Sequence, residues 1–127
     1  MCEPFIREAT ARSPEVLFDY DQHRLTLSGK SYPEDAVAFY VPVLNSLKAY
    51  LEQVSGAEIT VDIRLQYFNS SSAKALMNML LLLEGAAARD NEVVVNWHYA
   101  EDDETMQEYG EEFAEDLERV TFNVVPA

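Results

Sequence analysis

Three consecutive hydroxyl groups form the part of this chain best suited to chemistry. Asn69 is followed by Ser70, Ser71 and Ser72, between a strand-like segment and a helix-like segment. One Asn or Ser is enough to cap a helix, so either Asn69 or Ser70 is expected to have that role. A phosphate on a hydroxyl here would lie beside the free backbone N–H groups of the helix N-terminus, which favour anions. The segment is therefore suited to be a phosphorylation switch.

Catalysis needs a convergent set of reactive groups, and the sequence nominates none. His23 falls in a predicted turn and His98 at a predicted strand end, and neither has a second His or Cys at metal-ligand spacing. Cys2 is the single cysteine, which excludes an internal disulfide, and it has no preorganised base near the terminus. The sequence has no phosphate-binding glycine loop and no dinucleotide fingerprint. We expect a non-enzymatic protein without a cofactor or a metal.

The elements that must position the serines alternate along the chain. Strands are predicted at 16–20, 24–28, 58–65, 93–97 and 120–125, and helices from a start at 31–35 to Gly56, from about 73 to 89, and from 102 to 117. The order β-β-α-β-α-β-α-β predicts an α/β fold with a mixed, mostly parallel sheet and helices packed on it. One domain, 1–127, is expected, with 1–15 extended or poorly ordered because Pro4 and Pro14 disfavour a regular element there.

Apolar residues recur at helical spacing in the three predicted helices. The first helix is expected to face the core with Val37, Tyr40, Leu44, Leu47, Leu51 and Val54, and the third with Met106, Tyr109, Phe113 and Leu117. Pro42 is expected to kink the first helix or to mark a short first piece. The second helix is apolar nearly all round, so some of its Met and Leu side chains either lie under neighbouring helices or form an exposed partner surface.

Charge excludes several classes of partner. The net charge is −14, and ten of the 23 acids lie between Glu101 and Glu118 without a Lys or Arg. Nucleic acid and anionic membrane surfaces are therefore not expected as ligands. The acidic stretch is interpreted as a solvated face, with docking to a basic partner left open.

No apolar run approaches the roughly 20 residues of a membrane span, and no signal peptide is evident, so the cytoplasm is the expected compartment.

Two families share this pattern. The topology, with Ser-Ser at the strand-to-helix turn, resembles the STAS domain of anti-sigma-factor antagonists, although those usually have Asp-Ser-Ser-Gly where this chain has Asn69 before the serines and Ala73 after them. The SiaC family of bacterial regulatory phosphoproteins, which has a STAS-like fold, is a closer match. That resemblance runs through SPEVLFD (13–19), GKSYPE (29–34), FYVPV (39–43), YFNSSS (67–72) and WHY (97–99), and it covers nearly the whole chain.

The resemblance implies a regulator that acts by exchanging protein partners. In the SiaC family a dedicated kinase phosphorylates the hydroxyl directly after the Asn, and a PP2C-type phosphatase removes the phosphate. The unmodified form binds and activates a diguanylate cyclase, which raises cyclic di-GMP and favours biofilm formation or aggregation. The resemblance to the SiaC family implies that the acceptor is Ser70, where the family often has Thr. A shift of one residue, towards the position of the serine in STAS domains, makes Ser71 the second choice. Phe68, Lys74 and Met77 are the candidate partner surface beside this site.

Two other functions stay open at this stage. The chain could exchange partners as an anti-sigma-factor antagonist does, or it could sense a small ligand as some STAS-like domains do. A ligand sensor would need a concave pocket rather than a convex phosphorylated turn.

Overall fold

The computed structural model describes residues 3–127. Met1 and Cys2 lie outside the described residues, so the single cysteine is not among them. The elements in chain order are β1 (Phe5–Arg7), β2 (Glu15–Asp19), β3 (Arg24–Ser31), α1 (Ala36–Gln53), β4 (Glu58–Phe68), α2 (Ser70–Ala87), β5 (Glu92–Tyr99), α3 (Glu104–Glu115) and β6 (Thr121–Pro126).

The six strands form one sheet in the order β1-β2-β3-β4-β5-β6. The first three strands pair antiparallel, and β3 to β6 pair parallel, each parallel pair being joined through a helix. The predicted mixed, mostly parallel sheet is confirmed. Because sequential strands with right-handed crossovers return on the same side, the helices cover one face of the sheet.

Buried and exposed side chains alternate along β4 and distinguish the two faces of the sheet. Ile59, Val61 and Ile63 are fully buried and belong to the core under the helices. Asp62 and its neighbours on the open face are partly or fully exposed. The open face therefore has to be polar, and the helix-covered face supplies the hydrophobic core.

Side-chain hydrogen bonds run across the open face. Asn123 Nδ2 donates to Asn96 Oδ1 at 3.1 Å, and Asn96 Nδ2 donates to Asp62 Oδ1 at 3.3 Å. His98 Nε2 lies 2.9 Å from the same Asp62 oxygen. Burial acts to raise the pKa of Asp62, but the hydrogen bonds from His98 and Asn96 outweigh it and hold this pKa below its ordinary value. His98 thus has a structural partner.

The N-terminal segment contains an element that its local sequence did not predict. β1 is a three-residue strand at the edge of the sheet, paired only with β2. Its Phe5 pairs opposite Phe18, and the two ring centroids are 6.4 Å apart. Pairing with β2 and this ring contact define the strand, and neither is visible in the local sequence pattern.

Helix α1 differs from its prediction in two ways. It runs unbroken from residue 36 to residue 53 through Pro42, so it is not split into two pieces. The expected core position of Val37 is wrong, because this side chain is 71% exposed. The buried side of α1 is formed by Ala36, Tyr40, Val43, Leu47, Tyr50 and Leu51. Val37 lies beside that stripe, on the side of the helix that borders α2.

Helix α3 packs closely on the sheet through a glycine. A Cβ atom on Gly110 would lie only 2.5 Å from Cδ1 of Trp97, which is fully buried. Trp97 Nε1 also donates to the carbonyl oxygen of Met106, at 2.9 Å. The helix is capped by Asp103, whose carboxylate accepts from the Met106 N–H, so this part of the acidic segment has a structural role.

Residues 3–127 contain no candidate metal site and no candidate membrane-spanning helix. In that range no three His, Cys, Asp or Glu side chains are grouped so that they could hold a metal ion. No helix in the same range has the length and apolarity that crossing a membrane requires.

Candidate functional site

The serine segment lies where β4 ends and α2 begins. β4 ends at Phe68, and α2 begins at Ser70. The Asn69 side chain accepts a hydrogen bond from the Ser72 N–H at 2.9 Å, so Asn69 is the N-cap. Of the two residues predicted for that role, Asn69 has it, and the Ser70 hydroxyl is not needed to cap the helix.

The three serines have different environments. Ser70 and Ser71 are exposed, and their hydroxyls make no hydrogen bond to any of the residues 3–127. Ser72 is fully buried. Ser31 Oγ donates to Ser72 Oγ at 2.8 Å and lies 2.5 Å from the Tyr40 hydroxyl. A kinase can therefore reach Ser70 and Ser71 but not Ser72 in this conformation.

The buried hydroxyls join three elements beneath the serine segment. Ser31 ends β3, Tyr40 belongs to α1, and Ser72 lies in the first turn of α2. Burial raises the pKa of Tyr40, and the hydrogen bonds with Ser31 and Ser72 lower it by less, so the phenol remains neutral. The Asn69 N–H also donates to the Ser31 carbonyl oxygen at 3.0 Å. These contacts fix the helix N-terminus against the rest of the fold.

Sequence reasoning missed this hydroxyl network. The sequence predicts a helix start at Ser31, but Ser31 is the last residue of β3. It predicts Tyr40 as a core residue because of its apolar ring alone. A signal was nevertheless present, because a buried Tyr needs a hydrogen-bond partner, and a third consecutive serine exceeds what capping requires.

A groove between α1 and α2 begins at the serine segment, and we call it the α1–α2 groove. The groove has a volume of about 580 Å³ and is lined by Glu34, Asp35, Ala36, Val37, Tyr40, Val41, Leu44, Ser71, Lys74, Ala75 and Asn78. Ser71 and Lys74 stand on the α2 side, and Val37, Val41 and Leu44 stand on the α1 side. The groove thus combines an apolar wall with a cation beside the exposed serines.

The predicted partner surface is only partly available. Phe68 is 6% exposed, and its ring centroid lies 4.8 Å from that of Tyr109, so its assignment to a partner surface is wrong. A shift in the pairing of β3 with β4 explains this, because Gly29 pairs with Leu65 and Lys30 with Tyr67. The extra residue in β4 exchanges the faces that follow, so Tyr67 is 52% exposed instead.

The other two residues of that predicted surface lie on α2 with the serines. Lys74 is exposed, and Met77 is half-buried. Lys74 is four residues after Ser70 and three after Ser71, and residues at these spacings are neighbours on a helix surface. The structure therefore brings Lys74 beside both candidate acceptors.

Comparison with known proteins decides the family. The model of the SiaC family regulatory phosphoproteins matches residues 7–127. This chain belongs to the SiaC family. An uncharacterized protein of Pseudomonas aeruginosa strain UCBPP-PA14 is 36% identical to it over 107 residues, which is 84% of each chain.

Solved structures of SiaC share the whole fold. Apo-SiaC from P. aeruginosa is 31% identical and superposes with a TM-score of 0.85, covering 98% of this chain and 99% of that one. SiaC in complex with the diguanylate cyclase SiaD, whose activator it is, is 31% identical and has a TM-score of 0.88, covering 97% of this chain and 99% of that one. The SiaC fold and the regulatory family predicted from the sequence are confirmed.

Proposed function

We propose that this SiaC-family chain is a non-enzymatic cytoplasmic regulator controlled by phosphorylation of Ser70. The unmodified form binds and activates a diguanylate cyclase, a partner kinase adds the phosphate and prevents binding, and a PP2C-type phosphatase restores it. The main support is the exposed Ser70 hydroxyl at the start of α2, in a chain similar to an activator that binds the cyclase SiaD.

The choice of Ser70 rests on accessibility and on the family pattern. The burial of Ser72 leaves Ser70 and Ser71 as acceptors. The resemblance favours Ser70, because it directly follows Asn69. The cap formed by the Asn69 side chain leaves the Ser70 hydroxyl available for modification.

The phosphate is expected to change recognition without unfolding the protein. An exposed anion at a helix N-terminus stabilises the helix by about 0.3–1 kcal/mol. The same phosphate adds nearly two negative charges to a surface that a partner must desolvate. Binding is therefore lost through charge and desolvation at the interface, while α2 stays folded.

Binding measurements on Ser70 variants test this function. Ser70→Ala should stay folded and bind the cyclase even after kinase treatment. Ser70→Asp should stay folded and bind at least tenfold more weakly, since tenfold corresponds to about 1.4 kcal/mol. The matched control is Ser71→Ala, at the neighbouring exposed serine, which should still accept the phosphate on Ser70. Equal binding by Ser70→Ala and Ser70→Asp would contradict the proposal.

A further inference from the structure

We infer that the free edge of β6 is a docking site for an extended, basic segment of a partner protein, which pairs with β6 as an added strand. This edge lies apart from Ser70 and from the α1–α2 groove, so the inference goes beyond the proposed phosphorylation switch and does not depend on it. It gives the acidic helix α3, which packs against β6, a role in recognition.

The sheet ends at β6 with a row of unpaired backbone groups. Within residues 3–127, β6 pairs with β5 alone. The Ala127 N–H donates to the Tyr99 carbonyl oxygen at 2.7 Å, so Ala127 turns its N–H toward β5. Since consecutive residues of a strand turn their backbone groups to opposite sides, the N–H and C=O groups of Phe122 and Val124 point away from β5. Pro126, which has no N–H, occupies the next outward position, as prolines of edge strands do.

β6 lacks most of the features that protect an edge strand from pairing, which are short length, charged side chains and bulges. At the opposite edge, β1 has three residues and includes Arg7. β6 has six residues and pairs with β5 without a shift in register. Among the strands of the described residues, β6 alone has no charged side chain. β6 is therefore the edge to which a partner strand can add through backbone hydrogen bonds.

The side chains of β6 offer different contacts on the two faces of the sheet. Phe122 and Val124 are half-buried and pack against the hydrophobic core on the helix-covered face. Asn123 is exposed on the open face, where its Nδ2 donates to Asn96. An added strand would thus meet apolar side chains beside α3 and an amide on the open face.

Charge decides which kind of strand fits. Five glutamates of α3 are exposed, and α3 contains no Lys or Arg; these glutamates are Glu104, Glu108, Glu111, Glu112 and Glu115. A second copy of this chain, paired antiparallel with β6, would bring its own α3 to the same side, and the two acidic helices would repel each other.

A basic strand has the opposite effect. Lys or Arg at alternate positions would lie on the helix-covered face, where their charges pair with the carboxylates of α3. Their aliphatic stems would cover Phe122 and Val124. Charge complementarity therefore selects an extended basic segment of another protein over a second copy.

Amide hydrogen exchange, followed by NMR on the full chain, tests the pairing residue by residue. In the free protein, the N–H groups of Phe122 and Val124 should exchange faster than those of Asn123 and Val125, which β5 protects. The probe is the synthetic peptide Lys-Thr-Lys-Thr-Lys-Thr-Lys. At saturation it should slow exchange at Phe122 and Val124 at least tenfold. The control peptide has every backbone nitrogen methylated, so it keeps the charge but cannot donate to β6, and it should leave both rates within twofold.

Variants of equal charge change test the contribution of α3. The double variant Glu111→Gln and Glu115→Gln should weaken binding of the lysine–threonine peptide at least fivefold. The control is the double variant Glu52→Gln and Glu58→Gln, at exposed acids of α1 and β4, which should bind within twofold of the wild type. Circular dichroism checks that both double variants keep the fold.

Three results would overturn the inference. The first is that the methylated peptide binds as well as the unmethylated one, which would mean that α3 attracts cations without strand pairing. The second is that Phe122 and Val124 become protected when the concentration of the protein alone is raised, which would place a second copy at the edge. The third is that the lysine–threonine peptide does not bind. None of these measurements involves Ser70, so the proposed function stands or fails separately.

Discussion

At the scale of single residues, three adjacent serines have three different roles. Ser70 has an exposed hydroxyl that does not cap the helix, and Ser71 lines the α1–α2 groove. Ser72 is buried and accepts a hydrogen bond from Ser31. The helical turn produces this difference, because successive residues point about 100° apart around α2.

Removing the buried hydroxyl should cost more than removing an exposed one. Ser72→Ala leaves the Ser31 hydroxyl without one of its partners, so we expect the free energy of unfolding to fall by about 1–2 kcal/mol. Ser71→Ala, at an exposed position of the same helical turn, should change it by less than about 0.5 kcal/mol. Urea denaturation followed by circular dichroism measures both. Equal free energies for the two variants would show that the buried network adds no stability.

Which residues could be predicted from the sequence depends on how local their causes are. The Asn69 cap and the exposed serines follow from the strand-to-helix turn, so the sequence located the candidate site. The exposure of Tyr67 and the burial of Phe68 depend on the irregular pairing of β3 with β4, which involves residues far apart in the chain. The exposure of Val37 depends on which side of α1 meets the sheet. Apolar residues lie on more than one side of this helix, so the sequence alone does not show which side is buried.

At the scale of secondary-structure elements, two glycines in helices have opposite expected effects. Gly110 in α3 faces Trp97, and a Cβ atom there would lie 2.5 Å from the indole. Gly85 in α2 is exposed, and a Cβ atom there would meet nothing within 4 Å. Alanine at position 85 therefore reports only the helix preference of Ala. Alanine at position 110 also reports the close packing of α3 on the sheet.

Alanine at these two positions tests how α3 is held. Gly110→Ala should lower the free energy of unfolding by about 1–3 kcal/mol, because overpacking outweighs the better helix propensity of Ala. Gly85→Ala should raise it by about 0.5–1 kcal/mol. Urea denaturation of both variants gives the comparison. A stabilising Gly110→Ala would mean that α3 stands farther from Trp97 than the structure places it.

Elements with strong local patterns were predicted most accurately. α2 begins within a few residues of its predicted start, because the Asn-Ser segment marks it. β1 was missed because a three-residue edge strand has no period of its own, and its pairing with β2 comes from the rest of the sheet. α1 crosses Pro42 without a break, so the short first piece that was one of the two expectations for this proline is absent.

At the scale of the whole molecule, the sheet separates a hydrogen-bonded structural surface from the proposed regulatory one. The open face has its own hydrogen-bonded chain from Asn123 through Asn96 to Asp62. The helix-covered side has the candidate acceptors and the α1–α2 groove. A phosphate at the start of α2 would therefore leave the open face of the sheet unchanged.

Phosphorylation of Ser70 is tested by phosphopeptide mapping of the protein purified from its own host. Cleavage after Arg64 and Lys74 releases one peptide that contains all three serines. We expect a single phosphoryl group on Ser70, removable by a PP2C-type phosphatase, and none on Ser72. An unmodified peptide under every growth condition, together with no transfer from a partner kinase in vitro, would contradict it.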